Sequence, residues 1–185
     1  MNTENYLLFV KSFVGGSFMS YLEIKRAKTR EDAASIAGLA RTIWTEHYTP
    51  IIGSSQVEYM LENIQSAEKI AEAMESGSEY YMAYLYDRLI GYMAIHEDSE
   101  SMVLSKLYIE KDFRGRRIAG QFILLLQDRA AEAGKDKITL TVNKNNLNSI
   151  SIYKRMGFEI EGELITDIGG GFVMDDYLMV MRLEQ

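Results

Sequence analysis

Residues 104–120 read LSKLYIEKDFRGRRIAG. The aromatic and β-branched run at 103–109 passes through a short charged loop into Arg114-Gly115-Arg116-Arg117-Ile118-Ala119, and a strongly apolar segment follows at once. The pattern is strand, basic glycine-containing turn, helix start. The first turn of a helix carries N–H groups without intrahelical partners and a partial positive charge. Gly115 lets the backbone approach closely, and the arginines add charge and forked donors, so the turn reads as a phosphate cradle. A basic surface turn is the plain alternative. Against it stand the apolar strand, the short turn, and a following helix too apolar for a surface position.

Outward from this turn the chain alternates between the periods of strands and helices. Upstream, 22–27 alternates like a half-buried strand, and Thr29 with Asp32 forms a capping-box start for an amphipathic helix over 30–47. Tyr48-Thr49-Pro50 is expected to break that helix. One or two further helices are predicted over 56–65 and 67–75, then strands over 80–86 and 89–96 joined by a turn at Asp87-Arg88, then the strand 102–109. Downstream, 118–133 reads as a helix closed by Gly134, 137–142 as a buried strand, 147–156 as a helix stopped by Gly157, and 158–164 and 174–183 as strands. Gly169-Gly170-Gly171 reads as a mobile hairpin loop, because no helix start follows it. The resulting order, β-α-α-β-β-β-α-β-α-β-β, is an α/β domain with a mixed, mostly antiparallel central sheet flanked by helices.

A second signature follows the first by some thirty residues: Asn146-x-Asn148-Ser149-Ile150-x-x-Tyr153-x-x-x-Gly157-Phe158. Each part has an ordinary reading as a helix cap, an apolar face or a helix stop. The set, in this order after a buried strand and downstream of the first motif, resembles the GNAT family of acetyl-CoA-dependent N-acetyltransferases, over about residues 20–183. The resemblance implies the acyl-CoA N-acyltransferase fold, acetyl-CoA as cosubstrate, and direct acetyl transfer to a primary amine of a small molecule. It implies that Arg114, Gly115, Arg116, Arg117, Ile118, Ala119 and Gly120 cradle the coenzyme pyrophosphate. Leu107, Tyr108 and Ile109 would pair with the pantetheine arm through backbone groups, Asn146 and Asn148 would bond that arm, and Tyr153 would protonate the leaving thiolate. Arg117 departs from the family pattern, where glycine is usual. A residue with a Cβ is expected to fit a helical first turn without strain.

The resemblance places the acceptor site among the first helices and the last hairpin, where Trp44, His47 and Tyr48 fall, with Tyr81 and His96 completing the set. Aromatic and acidic groups suit an organic cation. Asp175-Asp176-Tyr177-Leu178-Met179 after the glycine loop, and Trp44-x-x-x-Tyr48 followed by Tyr59-Met60-Leu61, resemble bacterial spermidine/spermine N-acetyltransferases more loosely. The strand before the turn carries no acid, so the general base is not located; His47, His96 and Glu97 are candidates, and a water relay would need none of them. Two other classes stand beside this one: a non-catalytic acyl-CoA sensor and a protein N-terminal acetyltransferase.

Composition narrows the field. At 185 residues, nearly half apolar and with one proline, the chain has the size of one domain with a real core. A net charge of −7 argues against a nucleic-acid binder. The absence of cysteine removes disulfides and thiolate chemistry and fits the cytoplasm. Two distant histidines leave no metal constellation, and neither dinucleotide nor P-loop glycine patterns occur. Residues 1–18 read as an N-terminal extension, with the domain over 19–185. Its apolar run is too short to span a bilayer and lacks a basic start, so no membrane partner is expected. Homodimers are common in the family, and this apolar segment could contribute to one.

Overall fold

The structure, a computed structural model, describes residues 5–9 and 21–184. Its elements are β1 (Asn5–Phe9), β2 (Tyr21–Arg26), α1 (Arg30–Ile52), α2 (Ser54–Asn63), α3 (Ala67–Glu75), β3 (Glu79–Leu85), β4 (Arg88–Glu97), β5 (Met102–Ile109), α4 (Ile118–Glu132), β6 (Lys137–Asn143), α5 (Leu147–Arg155), β7 (Glu159–Gly169) and β8 (Phe172–Arg182). They form one eight-stranded sheet in the order β1-β2-β3-β4-β5-β6-β8-β7. Only β5 and β6 run parallel, joined by the crossover helix α4. The predicted mixed α/β architecture is therefore the observed one. β1 pairs antiparallel with β2 at the sheet edge. The boundary expected at residues 18 and 19 lies outside the described residues.

Each face of the sheet has its own core. On one side Ile118, Phe122, Leu125 and Leu126 of α4 pack with Met93, Ile95, Leu104, Ile138, Leu140 and Met179. On the other Ile36, Ile43, Trp44, Met60, Leu61 and Ile70 of α1–α3 cover Tyr80, Met82, Tyr92 and Ala94. Side chains this size contribute about 1.5–3 kcal/mol each when buried. The apolar periodicity of α4 was readable for this reason: nearly every turn has something to bury.

Three local expectations change. α1 does not stop at Tyr48. It continues through Pro50 to Ile52, because a proline in the last turn removes a single hydrogen bond, and the Gly53 N–H still reaches the Thr49 carbonyl at 3.0 Å. The β3–β4 turn is Tyr86-Asp87, one residue early: Leu85 faces Arg88, and Tyr86 takes the positive φ of 55° that a two-residue hairpin loop demands. The glycine loop is seated on α2. Tyr59 donates its phenol to the Ile168 carbonyl at 2.8 Å, and its ring occupies the space a Cβ on Gly169 or Gly170 would need. Gln56 adds a bond to the Val173 carbonyl at 2.8 Å.

The feature that positions the site is a parting of strands. β5 and β6 pair from Met102↔Ile138 to Leu104↔Leu140 and no further. At that point Ile95 faces Leu104 but Ala94 faces Lys106, which leaves Ser105 as the extra residue of a β-bulge. Ser105 donates its hydroxyl to the Ala94 carbonyl at 3.0 Å. A bulge bends its strand and sharpens the local twist. Beyond it the ends of β5 and β6 stand on opposite sides of an open cleft.

Candidate functional site

The cleft has a volume of about 760 Å³ and is walled by both parted strands, the start of α4, α5, and the ends of α1 and α2. At one end β5 runs out through Ile109 into a 3-10 turn over Lys111–Phe113. Gly115 then takes a φ of 76° and Arg117 a φ of 63° before α4 begins. The expected strain-free fit at Arg117 is overturned: the residue caps α4 from the left-handed region, where a Cβ crowds the following carbonyl. No side chain caps the helix. Gly115, Arg117, Ile118, Ala119 and Gly120 all line the cleft, so the uncapped first-turn amides belong to its wall.

The arginines divide. Arg114 lines the cleft and donates its Nε–H to the Ile109 carbonyl at 2.9 Å, bracing the strand end against the turn. Arg116 turns away: its guanidinium stacks 5.1 Å from the Phe113 ring centre and bonds the Asp112 carbonyl.

The second motif faces the first across the gap. Asn146 is 3% exposed and caps α5, its side-chain oxygen accepting the Ser149 N–H at 3.3 Å. Asn148 and Tyr153 line the cleft with it. The Tyr153 ring rests edge-on against Phe158, 5.6 Å between centres. Burial, with a smaller contribution from Tyr48, pushes its phenol well above the ordinary value, so the hydroxyl keeps its proton at neutral pH.

The remaining wall is aromatic. Trp44 stacks on Tyr48 at 4.8 Å and meets Tyr108 at 5.5 Å, and Tyr108 meets Tyr92 at 5.3 Å. Burial lowers the His47 pKa, with the Arg114 cation acting in the same direction and the Asn146 and Glu46 contacts opposing it. Asp176, 4% exposed on β8, lies in the cleft, and burial raises its carboxyl to about 6.

Of the residues expected at the acceptor site, Trp44, His47 and Tyr48 reach the cleft. Tyr81 and His96 do not. Tyr81 points to the α4 side of the sheet, where it is 2% exposed and its phenol bonds Glu79. His96 and Glu97 sit at the far end of β4, beside Met102 and the α3–β3 turn, in a separate small hollow. Among the residues absent from the expected site that line the cleft are Gln65, Lys106 and Asp176. Lys106 has a signal in the sequence, a charge interrupting the alternate row of Leu104 and Tyr108 inside an apolar strand. Gln65 has none, because it follows the end of α2.

Residues 48–173 match the family model described as an acetyltransferase (GNAT) domain. A probable spermine N(1)-acetyltransferase of Bacillus subtilis subsp. natto is 35% identical over 72 residues, 38% of this chain and 46% of that protein. The chain thus spans about half the length of the first curated relatives it matches. An L-methionine sulfoximine/L-methionine sulfone acetyltransferase of Pseudomonas aeruginosa is 25% identical over 69% of this chain and 70% of that protein. Among solved structures, the PaiA N-acetyltransferase of Thermoplasma acidophilum, in complex with coenzyme A, superposes with a TM-score of 0.71 at 22% identity, covering 86% of this chain and 98% of that one. A GCN5-related N-acetyltransferase structure from Rhodopseudomonas palustris gives 0.74 at 18% identity, over 86% and 94%. The parted strands, the uncapped helix start and the matched segment that contains them lead to one assignment: this chain belongs to the GNAT family of acetyltransferase domains.

Proposed function

We propose that this protein is an acetyl-CoA-dependent N-acetyltransferase that acts by direct transfer on a primary amine of a small molecule. The observation that carries the proposal is the parting of β5 from β6 beside an uncapped α4 start, with Tyr153 in the same cleft. Acetyl-CoA supplies the acyl group as an activated thioester. The chain's groups fit such a ligand. Beyond Leu104 the β5 backbone at Leu107, Tyr108 and Ile109 is not paired by β6, which leaves it open to an amide chain adding alongside. The first-turn amides of α4, with Arg114 and Arg117, offer donors and positive charge to phosphate. Asn146 and Asn148 add polar contacts from the facing wall.

Tyr153 then serves as the acid: a buried phenol that stays protonated can donate to a leaving sulfur. Backbone N–H groups at the end of β5 serve as oxyanion donors. Asp176 serves as the base. A carboxyl held at about 6 is ionised at neutral pH yet still able to take a proton from an incoming ammonium. His47, its pKa lowered chiefly by burial, lines the same cleft and serves as the relay for that proton.

The relatives favour two kinds of acceptor. The Bacillus proteins carry names for spermine and spermidine acetylation, which supports a polyamine. The Pseudomonas protein is named for amino-acid derivatives. The test is calorimetric titration with acetyl-CoA followed by thiol release against polyamines, amino acids and peptides. Saturable binding with turnover on one small amine is expected. Absence of acetyl-CoA binding would overturn the proposal, and binding with turnover on peptides alone would make the protein a peptide N-acetyltransferase.

A further inference from the structure

Lys106 is out of place for its chemistry. It projects from the middle of β5 on the α1–α3 side, in the row Tyr80–Ala94–Lys106 across three strands. Its ammonium lies 5.5 Å from the Tyr80 ring centre and makes no ion pair among the described residues. Yet it lines the cleft, in company with Trp44, Met60, Ile64 and Gln65. One buried polar atom of that company also lacks a partner, Gln65 Oε1, while the Trp44 indole is directed at the Tyr92 phenol. The amide of Gln65 can present either its oxygen or its nitrogen. A cation without an ion pair and an amide with an unpaired polar atom, both lining the cleft, match an anionic oxygen pair.

The rest of the cleft's charge agrees. Among the described residues lining it, Lys106, Arg114, Arg117 and Arg155 are cationic and Asp176 alone is acidic. The three arginines stand on the turn before α4 and on α5, the walls read above for the coenzyme. Lys106 stands apart from them, toward α2. A polycation entering here would bring a second ammonium against Lys106 in a poorly solvated pocket, where like-charge repulsion is weakly screened.

Resting on the acetyltransferase reading, we infer that the acceptor is an amino carboxylate, an amino acid or close relative, whose carboxylate is held by Lys106 while its amine faces Asp176. Burial alone lowers the Lys106 pKa to about 8, the mark of a cation that lacks its counter-ion.

The experiment compares kcat/KM for L-amino acids with that for their carboxamides and for spermidine, on the wild type and on Lys106→Met. The best amino acid should exceed its carboxamide by roughly tenfold or more, as loss of a charge-assisted contact predicts. In Lys106→Met that ratio should collapse through a raised KM for the acid, and Lys106→Arg should restore part of it. Turnover of spermidine or of carboxamides at or above the level of the acids would overturn the inference and leave the transferase reading standing. A ratio unchanged in Lys106→Met would overturn it too. Calorimetry with N-acetyl amino acids and their carboxamides reads the site without turnover: tighter binding of the acids supports it, and equal binding overturns it even if no acetyl group moves.

Discussion

Arg117 holds a conformation that only glycine adopts freely, at φ 63° and ψ 15°. A left-handed residue with a side chain costs about 1–2 kcal/mol. Arg117→Gly should therefore raise stability by up to about 1 kcal/mol, the gain reduced by the flexibility of an unfolded glycine, in a denaturant titration. If the Arg117 side chain neutralises a coenzyme phosphate, the same variant should bind coenzyme A less tightly, which calorimetry reads separately. Tyr153→Phe isolates the phenol from its ring. The packing on Phe158 survives, so coenzyme A affinity should be retained while kcat falls on the order of 10²-fold, the usual loss of a general acid. Full activity would reduce Tyr153 to packing. Asp176 links the site to stability through pH. Its folded pKa of about 6 lies above its ordinary 3.8, so folding favours the protonated form. Stability tied to it is complete below about pH 4 and is lost as pH rises through 6. Asp176→Asn should thus unfold at higher denaturant than wild type at pH 8, by about 3 kcal/mol, and nearly equally at about pH 3. Turnover should show the opposite dependence in the wild type, rising as the carboxyl ionises near pH 6, and the Asn variant should lose it.

At the scale of elements, the cleft depends on how closely β4 can approach the end of β5. Gly91 faces Ile109, and a Cβ built on it would lie 2.7 Å from the Tyr108 carbonyl oxygen. That oxygen is backbone and cannot swing aside. Gly91→Ala should cost about 1–3 kcal/mol as an overpacked contact. It should also weaken coenzyme A binding, because relief requires β5 to shift where residues 107–109 line the cleft. A variant that folds with normal stability and binds normally would show that this close approach is not needed. The bulge at Ser105 lies in the same β4–β5 pairing, nearer the start of β5. It ends the pairing with β6 and reverses which face the following side chains address, so Lys106 and Tyr108 point toward α1–α3.

For the whole molecule, the sheet separates two packed layers and opens between them at one place. α4 and α5 line the cleft from one layer, and α1 and α2, with the rings of Trp44 and Tyr48, line it from the other, with the β7–β8 hairpin tip held on α2 by Tyr59. Among the described residues no helix is long and apolar enough to cross a membrane.

Most of the elements, the turn before α4 and the cap of α5 were legible because each is written locally. Hydrophobic period marks helix or strand; Thr29 with Asp32 marks the start of α1, and their two reciprocal bonds are present at 3.1 and 3.0 Å. Facing is not local. Tyr80 and Tyr81 are adjacent on one strand, so one must face each layer, and nothing in their own segment says which layer holds the site. The sheet register sent Tyr81 to the α4 core and Tyr80 to the side of Lys106. His96 missed the cleft because it lies beyond the bulge, at the closed end of β5. Gln65, Lys106 and Asp176 entered it from three stretches far apart in the chain. By itself the sequence determined where most of the helices and strands lie, α4 and the turn before it among them, though not that residues 5–9 form β1. Only the tertiary structure decided where β5 leaves β6, and hence which side chains share the cleft, because a bulge and a register are settled between strands rather than within one.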